Sequence, residues 1–97
     1  MRITELQKNS IKQLTTQIFG ADARLMLFGS RVNDDAKGGD IDLYIETQQA
    51  QDVFEKKIRL LTALHKALGE QKIDIVVNDF SQDKAIYTIA QQTGIAL

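Results

Sequence analysis

Residues 24–45 read RLMLFGSRVNDDAKGGDIDLYI, and their pattern decides the fold. The apolar run Arg24-Leu25-Met26-Leu27-Phe28 has the length of a strand and stops at Gly29-Ser30. Arg31 to Gly39 is polar and holds Asn33, Asp34, Asp35, Gly38 and Gly39. That is loop chemistry, with room for one helical turn directly after Ser30. Ile41-Asp42-Leu43-Tyr44-Ile45 then alternates apolar and other residues as a strand does.

The flanking segments change period. From about Thr4 to Phe19, Leu6, Ile11, Leu14 and Ile18 fall near helical spacing. Thr4 with Gln7 resembles a capping box, and Gly20 suits the helix end. From Gln51 to Leu68 the helical pattern returns, with Phe54, Ile58, Leu61, Leu64 and Leu68 along one face and Gly69 as the stop. Ile73-Asp74-Ile75-Val76-Val77 is β-branched and predicts a third strand. Ser81 suits an N-cap for a last helix over about Gln82 to Gln92, with Phe80 and Ala85 as its hydrophobic staple. Interleaved helices and strands imply an α/β (α+β) fold: a small mixed three-stranded sheet with flanking helices, its strand order left open.

A chain of 97 residues suits a single domain over 1–97. The composition, 43% hydrophobic and 26% charged, is that of an ordinary globular protein. With a formal net charge of −1, nothing global attracts a polyanion, so stable nucleic-acid binding is not expected. Cysteine is absent, which removes disulfides, thiolate metal sites and thiol nucleophiles together. No stretch suits a signal peptide or a bilayer span, so a cytoplasmic protein with no membrane partner is expected.

Three features carry chemistry. At Phe28-Gly29-Ser30 a glycine at the end of a strand lets phosphates approach the backbone, and a hydroxyl follows it. Alone, this is also what an ordinary turn looks like. Asp40 and Asp42 stand two apart on a strand, so both carboxylates share one face. Such a pair reads either as two solvated acids or as a site for a hard divalent cation, which removes their repulsion. Asp74 is a lone acid within an apolar strand, where an unpaired carboxylate is costly to bury. If its strand lies beside that of Asp42, three carboxylates converge as two-metal phosphoryl chemistry requires.

Gly29-Ser30, nine residues, and then Asp40-Ile41-Asp42-Leu43 resemble the signature of the DNA polymerase β-like nucleotidyltransferase superfamily. Phe28-Gly29-Ser30-Arg31 through Gly39-Asp40-Ile41-Asp42-Leu43-Tyr44 is similar to its minimal nucleotidyltransferase (MNT) branch. Lys72-Ile73-Asp74-Ile75-Val76 matches the place of the family's third acid. The resemblance implies the nucleotidyltransferase fold, with Gly29 and Ser30 on the γ and β phosphates of a nucleoside triphosphate. It implies that Asp40 and Asp42 bind two Mg²⁺ ions, and that Asp74 binds the catalytic one and helps activate the acceptor. MNT proteins are commonly antitoxins paired with a HEPN-domain ribonuclease toxin, and characterised members transfer AMP from ATP to a tyrosine of that partner. The sequence does not fix oligomeric state and leaves a homodimer open. The rival reading is a binding module that neutralises its partner by contact, with little or no catalysis.

Arg31 is a second nucleotide-binding candidate, since a guanidinium suits oxyanions; its alternative is a surface pair with Asp34 or Asp35. Lys37 is a weaker candidate of the same kind. Asp34 and Asp35 read as solvated turn residues. His65, the one histidine, lacks companions for a zinc site and reads as a partly exposed helical residue. Tyr44 and Tyr87 read as packing residues with a polar tip. Lys56, Lys57, Arg59 and Lys66 form a basic run on the long helix, read as a solvated face or a contact for an acidic partner.

Overall fold

A computed structural model describes residues 3–32, 40–49 and 51–97. The elements are α1 (Glu5–Phe19), β1 (Arg24–Phe28), a 3-10 turn (Gly29–Val32), β2 (Ile41–Glu46), α2 (Val53–Leu68), β3 (Ile73–Asn78), α3 (Ala85–Thr93) and β4 (Ile95–Ala96). Among the described residues the sheet is mixed and has four strands in the order β3-β2-β1-β4. β1 runs antiparallel to both β2 and β4, whereas β2 and β3 are parallel. The expected three-stranded sheet thus gains β4. Two residues after Gly94 are too short to show a period, but they pair Met26 with Ala96 and Leu27 with Ile95.

Local chemistry sets the helix ends. Thr4 Oγ1 accepts from Gln7 N at 3.0 Å and Gln7 Oε1 accepts from Thr4 N at 2.9 Å, which completes the expected capping box. Gly20 and Gly69 end α1 and α2, each donating its N–H back into the last turn. The last helix departs from expectation. It begins at Ala85 after Lys84, and Ser81 is not its cap. Asp79 captures the amide of Ser81 at 3.0 Å, Asn78 captures that of Phe80 at 2.9 Å, and Phe80 takes a left-handed φ of 66°. These local side-chain bonds compete with helix and delay it by about one turn. Phe80 is 54% exposed and staples nothing.

Strand alternation sorts the core. Ile41, Leu43 and Ile45 face α1 and α2, packing with Ile11, Phe19, Leu60 and Leu64. Phe28 and Tyr44 face the other way, under Tyr87 and Ala90 of α3. The buried stripe of α2 is rotated from the expected one. Leu60 and Leu64 are fully buried, while Phe54 and Ile58 are 73% and 48% exposed. On α1, Ile11, Thr15 and Phe19 are buried and Leu6 is exposed.

A polar network lies beneath α3. The Tyr44 hydroxyl donates to Glu46 at 2.8 Å and accepts from Asn78 at 2.9 Å and Gln91 at 3.0 Å. Gln91 also donates to Glu46 at 3.0 Å, and Arg24 pairs with the other Glu46 oxygen at 3.2 Å. Burial and the Glu46 carboxylate push the Tyr44 hydroxyl above the ordinary phenol range, so it stays a donor. Tyr44→Phe takes a partner from two buried polar groups, Glu46 and Asn78, and from the exposed Gln91. It is expected to cost about 1–3 kcal/mol, read as a lower urea midpoint at unchanged slope.

Candidate active site

The parallel register of β2 and β3 sets Asp42 opposite Asp74, and alternation turns both to the face that carries α3. Asp40 precedes β2 by one residue and shares that face with Asp42. One carboxylate oxygen from each of Asp40, Asp42 and Asp74 lies within 4.8 Å of the others. The structure therefore brings the three predicted acids together. Asp40 and Asp42 are half-buried and Asp74 is exposed.

Gly29 closes the cluster from the β1 side. Phe28 pairs with Asp42 across the antiparallel ladder, so the next residue leaves β1 against that carboxylate. Gly29 has a φ of 78°, in the left-handed region that glycine tolerates. A Cβ there would overlap Asp42 Oδ2 and stand 3.1 Å from Asp42 Cγ. Ser30 and Arg31 follow on the 3-10 turn. Their side chains lie outside the described residues, as do Asp34, Asp35 and Lys37 in residues 33–39.

The electrostatics mark the cluster as unfavourable on its own. The Asp42 carboxyl is pushed above the ordinary carboxylate range, first by burial, then by the charges of Asp74 and Asp40 and by a hydrogen bond with Asp74 that requires a proton. Lys72 opposes this: its Nζ lies 3.5 Å from Asp40 Oδ2. An all-oxygen, carboxylate-rich donor set with mutual repulsion fits a hard divalent cation and would hold a soft one poorly. Beside it a groove of about 460 Å³ is lined by Phe28, Lys57, Leu61, Ile86 and the two paired acids.

A family model described as polymerase beta, nucleotidyltransferase matches residues 5–97. The chain belongs to this nucleotidyltransferase family. The three helices and four-stranded mixed sheet of the described residues are consistent with that family, whose members typically use a nucleoside triphosphate and a divalent metal. No curated protein matches the chain significantly.

Two cationic residues beside this carboxylate cluster escape a reading of the sequence. Lys72 is invisible as a site residue until the register is known: the shift that pairs Asp42 with Asp74 sets Lys72 beside Asp40. Lys57 reads as one of a solvated basic run, yet it is half-buried and lines the groove with Asp42 and Asp74. The other singled-out residues sit apart. His65 is exposed near the end of α2, with Nε2 3.1 Å from Gln71 O. Tyr87 packs on Tyr44 with ring centroids 6.0 Å apart, and its hydroxyl donates to Val77 O at 3.2 Å. Among the described residues no helix is long and apolar enough to cross a membrane.

Proposed function

We propose that the chain is a Mg²⁺-dependent transferase that moves AMP from ATP to a hydroxyl of a protein partner. The leading acceptor is a tyrosine of a HEPN-type ribonuclease toxin, for which the chain would serve as antitoxin in the cytoplasm. The observation that carries the reading is the convergence of Asp40, Asp42 and Asp74 against Gly29 in a chain of the nucleotidyltransferase family. Nothing in the packing of the sheet requires three acids there.

In this reading Asp40 and Asp42 would hold both ions, and Asp74 would hold the catalytic one and help activate the acceptor. Bound there, Mg²⁺ would neutralise the triphosphate and the leaving pyrophosphate and lower the pKa of the attacking hydroxyl. Gly29 leaves room for phosphate oxygens, and the Ser30 hydroxyl and Arg31 guanidinium are placed in sequence to donate to them. The acceptor hydroxyl loses its proton to solvent as its oxygen bonds to the α-phosphorus, and the bond from that phosphorus to the α–β bridging oxygen breaks, with pyrophosphate taking the electron pair. The protein contributes position and charge, with no covalent intermediate.

The test is label transfer. The protein and the HEPN-type partner are incubated with Mg²⁺ and α-labelled ATP, in parallel with Asp42→Asn. Label on the partner with the parent protein and none with the variant is the expected result. An unlabelled partner that both proteins still inhibit would sink the transferase reading and favour neutralisation by contact.

A further inference from the structure

β3 is a border strand, and among the described residues nothing pairs with its outer side. Its inner side is fixed by two bonds at 3.0 Å: Ile41 N donates to Lys72 O, and Thr47 N donates to Asn78 O. In a regular ladder, successive residues turn their polar groups to opposite sides. The even-numbered residues of β3 therefore face β2. The N–H and C=O of Ile73, Ile75 and Val77 point away from the sheet.

Border strands are commonly blunted by charge, proline or a bulge, because their free polar groups template another strand. β3 is six residues long, holds no proline, and has Asp74 as its one charge. Its border runs along a trough of about 430 Å³ between α2 and α3, lined by Val53, Phe54, Val77, Tyr87 and two lysines, Lys57 and Lys84. No acid lines it. Phe54 stands 73% exposed on its rim, an apolar face of α2 that the fold leaves uncovered. The trough continues into the groove beside Asp42 and Asp74 through Lys57, Val76 and Ile86, which line both.

We propose that this border receives an extended, acidic segment of a partner protein, which adds to β3 as a fifth strand. Main-chain hydrogen bonds to Ile73, Ile75 and Val77 supply affinity, as in other cases of strand addition. Alternate side chains select the segment: apolar ones on the α2 side against Phe54, carboxylates on the α3 side toward Lys84 and toward Lys57, which reaches into the groove of that face. A second copy of this chain fits worse, because it would bring two pairs of lysines to one seam. Only the purpose of docking, delivering an acceptor past Asp74, rests on the transferase reading. The docking is tested with neither nucleotide nor metal, so its failure is distinct from a failure of catalysis.

The experiment titrates the full chain with two labelled eight-residue peptides, one alternating Val and Glu and one alternating Val and Lys. Amide exchange is followed by NMR alongside anisotropy. The Val/Glu peptide is expected to bind and to slow exchange at the amides of Ile73, Ile75 and Val77 by about tenfold or more. In Lys57→Glu/Lys84→Glu the preference reverses by about tenfold, with exchange in β1 and β2 unchanged as the control on folding. Equal binding of both peptides, binding without slowing at those three amides, or no binding overturns the proposal. So does protection of the same amides by self-association without peptide.

Discussion

Asp42→Asn is expected to melt above the parent protein when divalent cations are absent, while transferring nucleotide about 10³-fold more slowly. The loss of rate follows from removing a group that positions charge at the reacting phosphate, which costs about 10²–10³ in comparable sites, and Asp42 is proposed to touch both ions. The gain in stability follows from the raised pKa of Asp42. Because the fold favours its protonated form, that contribution is complete below the ordinary carboxyl value of 3.8 and is lost as pH rises through the elevated one. The variant's advantage should therefore be small in acid and grow toward neutral pH. Its size is about 0.5–1 kcal/mol, the lower part of the range for relieving such a site, because water screens a half-buried carboxylate. Mg²⁺ should raise the melting temperature of the parent and leave the variant unmoved, closing the gap. Thermal unfolding at several pH values, with and without Mg²⁺, reads all of this. A variant less stable than the parent at neutral pH would show that the carboxylates do not repel as described.

Gly29→Ala should damage stability and activity together. The left-handed backbone alone costs an alanine about 1–2 kcal/mol. The added Cβ would also overlap Asp42 Oδ2, and the nearest atoms to yield belong to a proposed metal ligand. A displacement of about 1 Å at a reacting centre can cost roughly 10²-fold in rate. Gly69→Ala isolates the two effects. Gly69 has a φ of 84°, yet nothing lies within 4 Å of its added Cβ. It should lose similar stability and keep full activity. Equal kcat values for the two alanine variants would remove Gly29 from the site.

The acids were legible in the sequence because their logic is local. Asp40 and Asp42 need only the two-residue repeat of a strand, and Asp74 needs only an apolar strand around it. What brings them together is the parallel pairing of β2 with β3, which no local pattern encodes. Lys72 and Lys57 were missed for the same reason, since each acquires meaning from a neighbour about thirty or more residues distant in one case and fifteen or more in the other. β4 was missed because a two-residue strand has no period. The start of α3 was misplaced because Ser81 has the chemistry of a cap, and Asp79 engages it first. On α2 the exposed Phe54 and Ile58 satisfied the helical repeat as well as Leu60 does. Periodicity finds an apolar stripe, but which edge of it meets the core depends on how the helix is rolled against the sheet.

The polar cluster under α3 has an effect at a distance. A helix seated on greasy contacts alone has several nearly equivalent berths, one turn up or a few degrees round. Gln91 permits one, because its amide meets both Tyr44 and Glu46 only at a single height and phase of the helix. Ile86 sits five residues earlier, about 7.5 Å along the axis, and forms a wall of the groove beside the carboxylates. The gauge of that groove is thus held by hydrogen bonds at the far end of the sheet, much as a hinge pin fixes the gap of a distant door.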